Sequence, residues 1–238
     1  MTRIIGHRGA RNLWPENSLS GFRKTADLNI AGVEFDLHLT NAGEVVVLHD
    51  PTLERTTHGV GDVAELSKQA RKNTILRESM DEHVPLFEEV LEIFKPTGME
   101  LHVELKNCVN GDLYDGLTDA AVQIIRAQGM EDQCILTGFT RQVLEQVKDI
   151  APEMRRLASL NAFSATILGG LQEALDYFDS HADILAVEKA LLAHSWDAIT
   201  DRIAPERLGV WVPNTEPELE FWKNTPIRQI TTDRPDLA

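Results

Sequence analysis

Apolar, β-branched runs alternate along this chain with segments of helical period, and that alternation limits the available folds more than any single residue does. The strand-like runs fall at residues 3–7, 32–38, 99–105, 133–137, 154–160, 183–187, 207–212 and 227–232. Helix-period segments lie between most of them, at 16–28, 86–94, 113–127, 141–150, 168–178, 190–203 and 216–222. Strands separated by helices pair in parallel, because each crossover returns the chain to the same end of the sheet. Eight such strands in 238 residues fit a closed (β/α)8 TIM barrel better than an open doubly wound sheet. No Gly-rich dinucleotide or phosphate-loop fingerprint follows a strand, which also weighs against the open sheet. The expected organisation is α/β, a single barrel domain over residues 1–238.

Two stretches depart from the regular alternation. Residues 45–48 form an extra short strand after the Asn41-Ala42-Gly43 turn, so the second strand is expected to continue as a hairpin. Residues 51–85 contain no strong strand and read as an insertion over the top of the barrel, with one short helix around 64–72. Asn17 is expected to cap the first helix. No full helix follows the eighth strand. Its cover is expected from the insertion or from a second subunit, which leaves a homo-oligomer open.

Several charged residues interrupt the early strands. Residues i and i+2 of a strand share a face, so Glu34 and Asp36 project together, as do Glu104 and Lys106. Each pair sits in an apolar run, GVEFDLHLT and MELHVELK. Two enclosed carboxylates repel, and a hard cation held by oxygen removes that repulsion. His7 ends the first strand and Arg8 follows it, and His49 and Asp50 follow the hairpin strand. In a barrel, functional groups collect at the carboxyl-terminal ends of the strands, where these residues fall. An unperturbed imidazole titrates near pH ~6.5 and suits proton transfer. The guanidinium of Arg8 matches phosphate oxygens. The set points to a metal-assisted site for an anionic substrate.

Charge narrows the partners. With 23 Lys plus Arg against 38 Asp plus Glu, the net charge of −15 repels nucleic acid and anionic lipid. An anionic substrate must then be drawn in by a metal ion or by Arg8 and Lys106. Two cysteines, Cys108 and Cys134, make neither a disulfide framework nor a zinc knuckle. No apolar run approaches membrane-spanning length, and the N-terminus enters a strand with no signal-like apolar region. A cytoplasmic protein without membrane insertion is expected.

The stretches GHRGARNLWPENSLSGF and GVEFDLHLTNAGEVVVLHDPTLERTTHG resemble the glycerophosphodiester phosphodiesterase family, as do HVELK, GVWVPNTEPEL and ITTDRPDL. The match is densest in the first 60 residues and runs weakly to the C-terminus. Ser18 and Val212 stand where the family usually has threonine, and Phe87 where it often does; none belongs to the charged set. The resemblance implies a TIM barrel that hydrolyses glycerophosphodiesters, such as glycerophosphocholine or glycerophosphoethanolamine, to sn-glycerol 3-phosphate and an alcohol. It implies one divalent ion, Mg2+, Ca2+ or Mn2+, on Glu34, Asp36 and Glu104. It makes His7 and His49 the catalytic pair and Arg8 and Lys106 the phosphate contacts.

Other residues have weaker claims. Trp211, near a strand end and beside Asn214, is a candidate to stack on the glycerol moiety, and Phe139 a candidate wall. His38 is a candidate for the rim, whereas His102 is expected to pack lower in the barrel. Glu16 is a candidate to orient the charged groups. A Schiff-base role for Lys106 needs no acid triad and is disfavoured. A lysophospholipase D-like activity is the alternative reaction, although the polar 51–85 segment favours soluble head groups. A barrel that binds phosphodiesters without cleaving them is a third reading.

Overall fold

The computed structural model describes residues 2–238. The chain runs β1 (Arg3–His7), α1 (Leu19–Ala26), β2 (Gly32–Leu39), β3 (Val45–Val47), α2 (Lys68–Asn73), α3 (Phe87–Phe94), β4 (Glu100–Leu105) and α4 (Leu117–Gln128). It continues through β5 (Cys134–Gly138), α5 (Arg141–Ile150), β6 (Arg155–Leu160), α6 (Ala162–Ile167), α7 (Leu171–His181) and β7 (Ile184–Glu188). The last elements are α8 (Lys189–His194), α9 (Trp196–Thr200), β8 (Leu208–Trp211), α10 (Glu216–Lys223) and β9 (Gln229–Thr232). The strand order is β1-β9-β8-β7-β6-β5-β4-β2, closed by β1 on β2, and every pairing around the ring is parallel. This is a (β/α)8 TIM barrel. β3 lies outside the ring, antiparallel to β2, as the hairpin signal predicts.

β2 shows how the barrel sorts its side chains. All but the last of its residues are buried. Val33, Phe35 and Leu37 belong to the apolar cluster beneath the helices. Phe35 meets Phe22 of α1 at 5.6 Å and Phe87 of α3 at 5.9 Å, ring centre to ring centre. Glu34, Asp36 and His38 therefore occupy the opposite, inner face. On β5, β6 and β7 the inner layer is mostly apolar: Ile135, Leu157, Ile184 and Ala186 cluster there, with the hydroxyls of Thr137 and Ser159 beside them. Around the cavity the interior is charged on the β1–β2–β4 side and mostly apolar on the β5–β8 side. At the amino-terminal end, Glu100 accepts Arg228 and Arg155 at 2.8 Å and pairs with Arg3 at 3.2 Å.

Several elements differ from expectation. The first helix begins at Leu19, and its N-cap is Ser18, which accepts from the Gly21 amide. Asn17 is not the cap; it sits at φ +53° and its side chain points elsewhere. The 168–178 segment holds one helix, α7, which starts only at Leu171, after Gly169 and Gly170 at positive φ. A short helix not expected from the sequence, α6, precedes it, and the 190–203 segment holds two short helices, α8 and α9, separated at Ser195. The expected 64–72 helix is a 3-10 turn at Val63–Glu65 followed by α2. The 51–85 segment has its own small core of Leu53, Val63, Leu66, Leu76 and Val84 against Val46 and Leu48. β9 is followed by a 3-10 turn, Pro235–Leu237, and Leu237 packs on the apolar cluster beneath the neighbouring helices. A turn of this chain thus supplies part of the missing helix's cover. Among the described residues, no helix is long and apolar enough to cross a membrane.

The β2–β4 seam has no room for a side chain at its start. A Cβ on Gly32 would stand 2.3 Å from the Glu100 carbonyl oxygen, a backbone atom that cannot swing away. Gly32→Ala should therefore cost about 2–3 kcal/mol or more, as overpacking does. At about 2–4 °C per kcal/mol for a chain of this size, Tm should fall by at least about 4 °C. A thermal melt checks this; an unchanged Tm would mean the seam yields freely.

Candidate active site

The strand register gathers the charged residues. Across β2, Glu34 lies beside His7 of β1, and Asp36 lies beside Glu104 of β4. Oxygens of Glu34, Asp36 and Glu104 all fall within 4.8 Å of one another. Glu34 Oε1 is buried without any partner. Lys106 Nζ lies 2.6 Å from Glu104 Oε1 and 2.9 Å from Asp36 Oδ1. The second contact is an ion pair without hydrogen-bond alignment.

The β1–α1 loop folds back over this group. Arg8 (φ +49°), Gly9 (+71°), Ala10 (+63°) and Asn17 (+53°) all take the left-handed conformation, which is unfavourable for the three that carry a Cβ. A Cβ at Gly9 would also meet the Phe22 ring at 2.9 Å. In return, the Arg8 amide donates to Glu34 Oε2 at 3.2 Å, and its Nε lies 3.6 Å from Asp36 Oδ2. Asn17 Nδ2 donates to Asp36 Oδ2 at 3.0 Å.

Each histidine is held through Nδ1 by a carboxylate. His7 Nδ1 lies 2.5 Å from Asp233 Oδ1, and His49 Nδ1 lies 2.6 Å from Asp50 Oδ1. A carboxylate on Nδ1 takes that nitrogen's proton as a hydrogen bond and leaves Nε2 as the acceptor. His7 Nε2 lies 3.7 Å from Glu34 Oε2. Asp233 is itself fixed by Arg11 at 2.9 Å and by Asn214 at 2.7 Å. Asp50 accepts two bonds from Arg55, at 2.6 and 2.9 Å. Arg55 also donates twice to Glu16, at 2.9 and 2.8 Å, and Glu16 accepts Arg8 at 3.3 Å. One guanidinium from the 51–85 segment thus braces the supports of both His49 and Arg8.

Burial and charge set the protonation of these groups. Burial lowers both histidines, against the bond from Asp233 for His7; His49 falls to about 4. Burial raises Glu34, and the neighbouring Asp36 and Glu104 carboxylates add to the rise. Burial also raises Glu104. For Asp36 burial is outweighed by Lys106, His49 and Arg8, so it lies below the usual carboxylate range. Burial lowers Lys106, but Asp36 and Glu104 more than restore it, so it stays charged.

The sequence-predicted residues His7, Arg8, Glu34, His49, Glu104, Lys106 and Trp211 all line one cavity of about 280 Å³. Asp36 sits behind them and is 1% exposed. Trp211 and Phe139 meet edge to face at 5.8 Å, so the two candidate walls form one apolar side. His38 is not at the rim. It is fully buried, its ring between the Tyr114 hydroxyl at 2.8 Å and the His49 carbonyl at 3.2 Å. His102 is buried beside Gln229, as expected, yet it also lines the cavity. Asp233, Arg11 and Arg55 were not singled out in the sequence. Asp233 follows the last barrel strand, so the strand-end rule that marks His7 and Lys106 marks it too.

Taken together, fold and site define a (β/α)8 barrel with a charged, cation-competent centre at the carboxyl ends of its strands. A family model described as the glycerophosphoryl diester phosphodiesterase family matches residues 7–237, and the chain belongs to that family. A glycerophosphodiester phosphodiesterase of Caldanaerobacter subterraneus is 30% identical over 159 residues, 65% of this chain and 65% of that protein. The chain thus aligns with less than two thirds of the length of that curated relative. A solved structure from Agrobacterium tumefaciens, assigned by its name to the same family, superposes with a TM-score of 0.88 at 25% identity. It covers 100% of this chain and 95% of the other. An Oleispira antarctica phosphodiesterase solved with the product sn-glycerol-3-phosphate has the same fold, with a TM-score of 0.84 at 24% identity, covering 99% and 94%.

Lys106 is the cation shared by two of the three clustered carboxylates. Its removal strands buried negative charge, and breaking such a pair costs about 3–5 kcal/mol. Lys106→Met should be destabilised by about that much in chelator at pH 8. The loss should shrink at pH 5, because Glu34 and Glu104, with folded pKa values raised, disfavour the fold as pH rises through those values. Urea unfolding at both pH values checks this.

Proposed function

We propose that this protein hydrolyses glycerophosphodiesters to sn-glycerol 3-phosphate and an alcohol, with a divalent cation held by Glu34, Asp36 and Glu104. The observation that carries the reading is one cavity where an all-oxygen triad, two carboxylate-held histidines and two cations converge, in a chain of this family. The residues fit a cation. The donors are carboxylates only, which suits hard ions such as Mg2+, Ca2+ or Mn2+. Glu34 Oε1 has no other partner, and three carboxylates face only two permanent cations, Arg8 and Lys106. When bound, the ion supplies Lewis-acid polarisation of a phosphoryl oxygen.

The protein's own groups do the rest. Arg8 and Lys106 offset negative charge that grows on the phosphoryl oxygens in the transition state. Of the two histidines, one accepts at Nε2 the proton of the attacking hydroxyl, and the other, protonated, gives its proton to the departing alkoxide. Asp233 and Asp50 keep each ring in one tautomer and one orientation, so no rotation is needed at the moment of transfer. Phe139 and Trp211 offer the glycerol carbons an apolar wall.

Two outcomes test the reading. Turnover of glycerophosphocholine should vanish after exhaustive chelation and return with Mg2+, Ca2+ or Mn2+. Full activity in the chelated protein would remove the cation from the reaction. Separately, His7→Ala and His49→Ala should each lower kcat by at least about 100-fold with the fold intact, the low end of general acid–base effects. Near-parental kcat in either variant, measured beside its circular dichroism, would take that histidine out of the chemistry.

A further inference from the structure

A second cavity opens beside the first. It has a volume of about 520 Å³, within the range of small-molecule sites, and lies between the start of α5 and helix α6. Phe139 lines both cavities, so the apolar wall of the candidate active site is also the near wall of this groove. The far wall is Phe163 and Ile167, four residues apart on α6 and therefore on one face. They are 74% and 69% exposed. Both walls stand at the carboxyl ends of β5 and β6, the same end of the barrel as the charged centre.

The polar side chains of the groove are mostly committed elsewhere. Thr140 caps α5, accepting from the Val143 amide, and Asn161 and Ser164 cap α6 reciprocally. Arg141 lies over the Tyr177 ring at 4.6 Å and donates to the Leu168 carbonyl at 3.3 Å, while its buried Nε has no acceptor. Gln142, on the exposed edge, makes no such bond among the described residues. Such a surface offers an incoming group mainly apolar contact. The active-site cavity is divided, with its cations and histidines on the β1–β4 side and Phe139, Leu157, Ala186 and Trp211, interrupted only by the hydroxyls of Thr137 and Ser159, on the β5–β8 side. A phosphodiester held at the charged side has two ester arms, and the apolar side gives one of them a surface to extend over.

We propose that the groove between Phe139 and α6 is a hydrocarbon subsite, which takes an acyl or alkyl chain carried by one arm of the phosphodiester. The inference rests on the reading of the first cavity as a phosphodiesterase centre and extends its substrates from bare head groups to chain-bearing ones. The chain can come from the glycerol arm, as in a monoacylated glycerophosphodiester, or from the alcohol arm, as in a glycerophosphoalkanol. Burial of one CH2 contributes about 0.8 kcal/mol when complete, or about 4-fold in a rate or binding constant. Partial cover in an open groove should give about 2-fold per CH2.

The experiment uses the metal-loaded enzyme and water-soluble chains below their micelle concentrations. Steady-state kinetics compare glycerophosphocholine with its 1-butanoyl, 1-hexanoyl and 1-octanoyl derivatives, and glycerophosphoethanol with glycerophosphohexanol. In one of the two series, kcat/KM should climb with chain length, and that series names the arm. Phe163→Ser and Ile167→Ser, both at exposed positions, should flatten that climb and leave glycerophosphocholine within about 2-fold of the parent, as surface changes do. No rise in either series, or an equal loss on chain-bearing and bare substrates, would overturn the subsite. Calorimetry with inorganic phosphate, butyl phosphate and octyl phosphate reads the groove without turnover. Tighter binding of the longer chain that Phe163→Ser abolishes would support the groove, and equal binding of all three would overturn it. Absence of hydrolysis of every diester, with chain-dependent binding retained, would overturn the phosphodiesterase reading and leave the groove standing.

Discussion

The mutual repulsion of three buried carboxylates is the constraint around which the rest of the mouth is arranged. β2 is covered on both faces, so its alternate residues have nowhere to go but the barrel interior. Pairing with β1 and β4 in the observed register then brings Glu34, Asp36 and Glu104 together. Negative charge in so little space is unfavourable unless cations answer it. Lys106 spans Asp36 and Glu104, and a loop of left-handed residues sets the Arg8 guanidinium beside Asp36 and its backbone amide on Glu34. The strain of that loop and the burial of the lysine make sense as responses to the same charge density.

Legibility in the sequence followed the strength of the local signal. The barrel could be read because each strand is a dense β-branched run and each crossover carries a helical period. Glu34, Asp36, Glu104 and Lys106 were legible because strand geometry fixes i and i+2 on one face, and the same inner face is where the structure has them. Asn17 was misread because Asn is a good N-cap in general. Its backbone instead serves the loop turn, its amide serves Asp36, and Ser18 takes the cap. His38 shares the inward phase of Asp36, which suggested the rim, but the hairpin and Tyr114 close over it. Helix α6 is not legible in the sequence because six residues are too few to show a helical period.

The supports of the two histidines were the least legible parts, since both depend on tertiary contacts. Arg55 lies in a segment with no strand and only a loop's composition, yet its planar fork joins Asp50 to Glu16. A lysine in its place could not reach both carboxylates with paired donors. The 51–85 segment, which has its own apolar core, therefore contributes one bracing side chain to the mouth and otherwise stays apart from it.

The bond between His7 and Asp233 joins residues 226 positions apart. Contacts of such sequence separation form late, because the ordering of everything between them must come first. β1 can pair with β2 as soon as both exist, but its other edge waits for β9. During synthesis the triad and Lys106 can therefore assemble well before His7 acquires the partner that aims it. The last strand of the ring is in this sense a timing device: the charged centre is built early, and its orientation is completed only when the barrel closes.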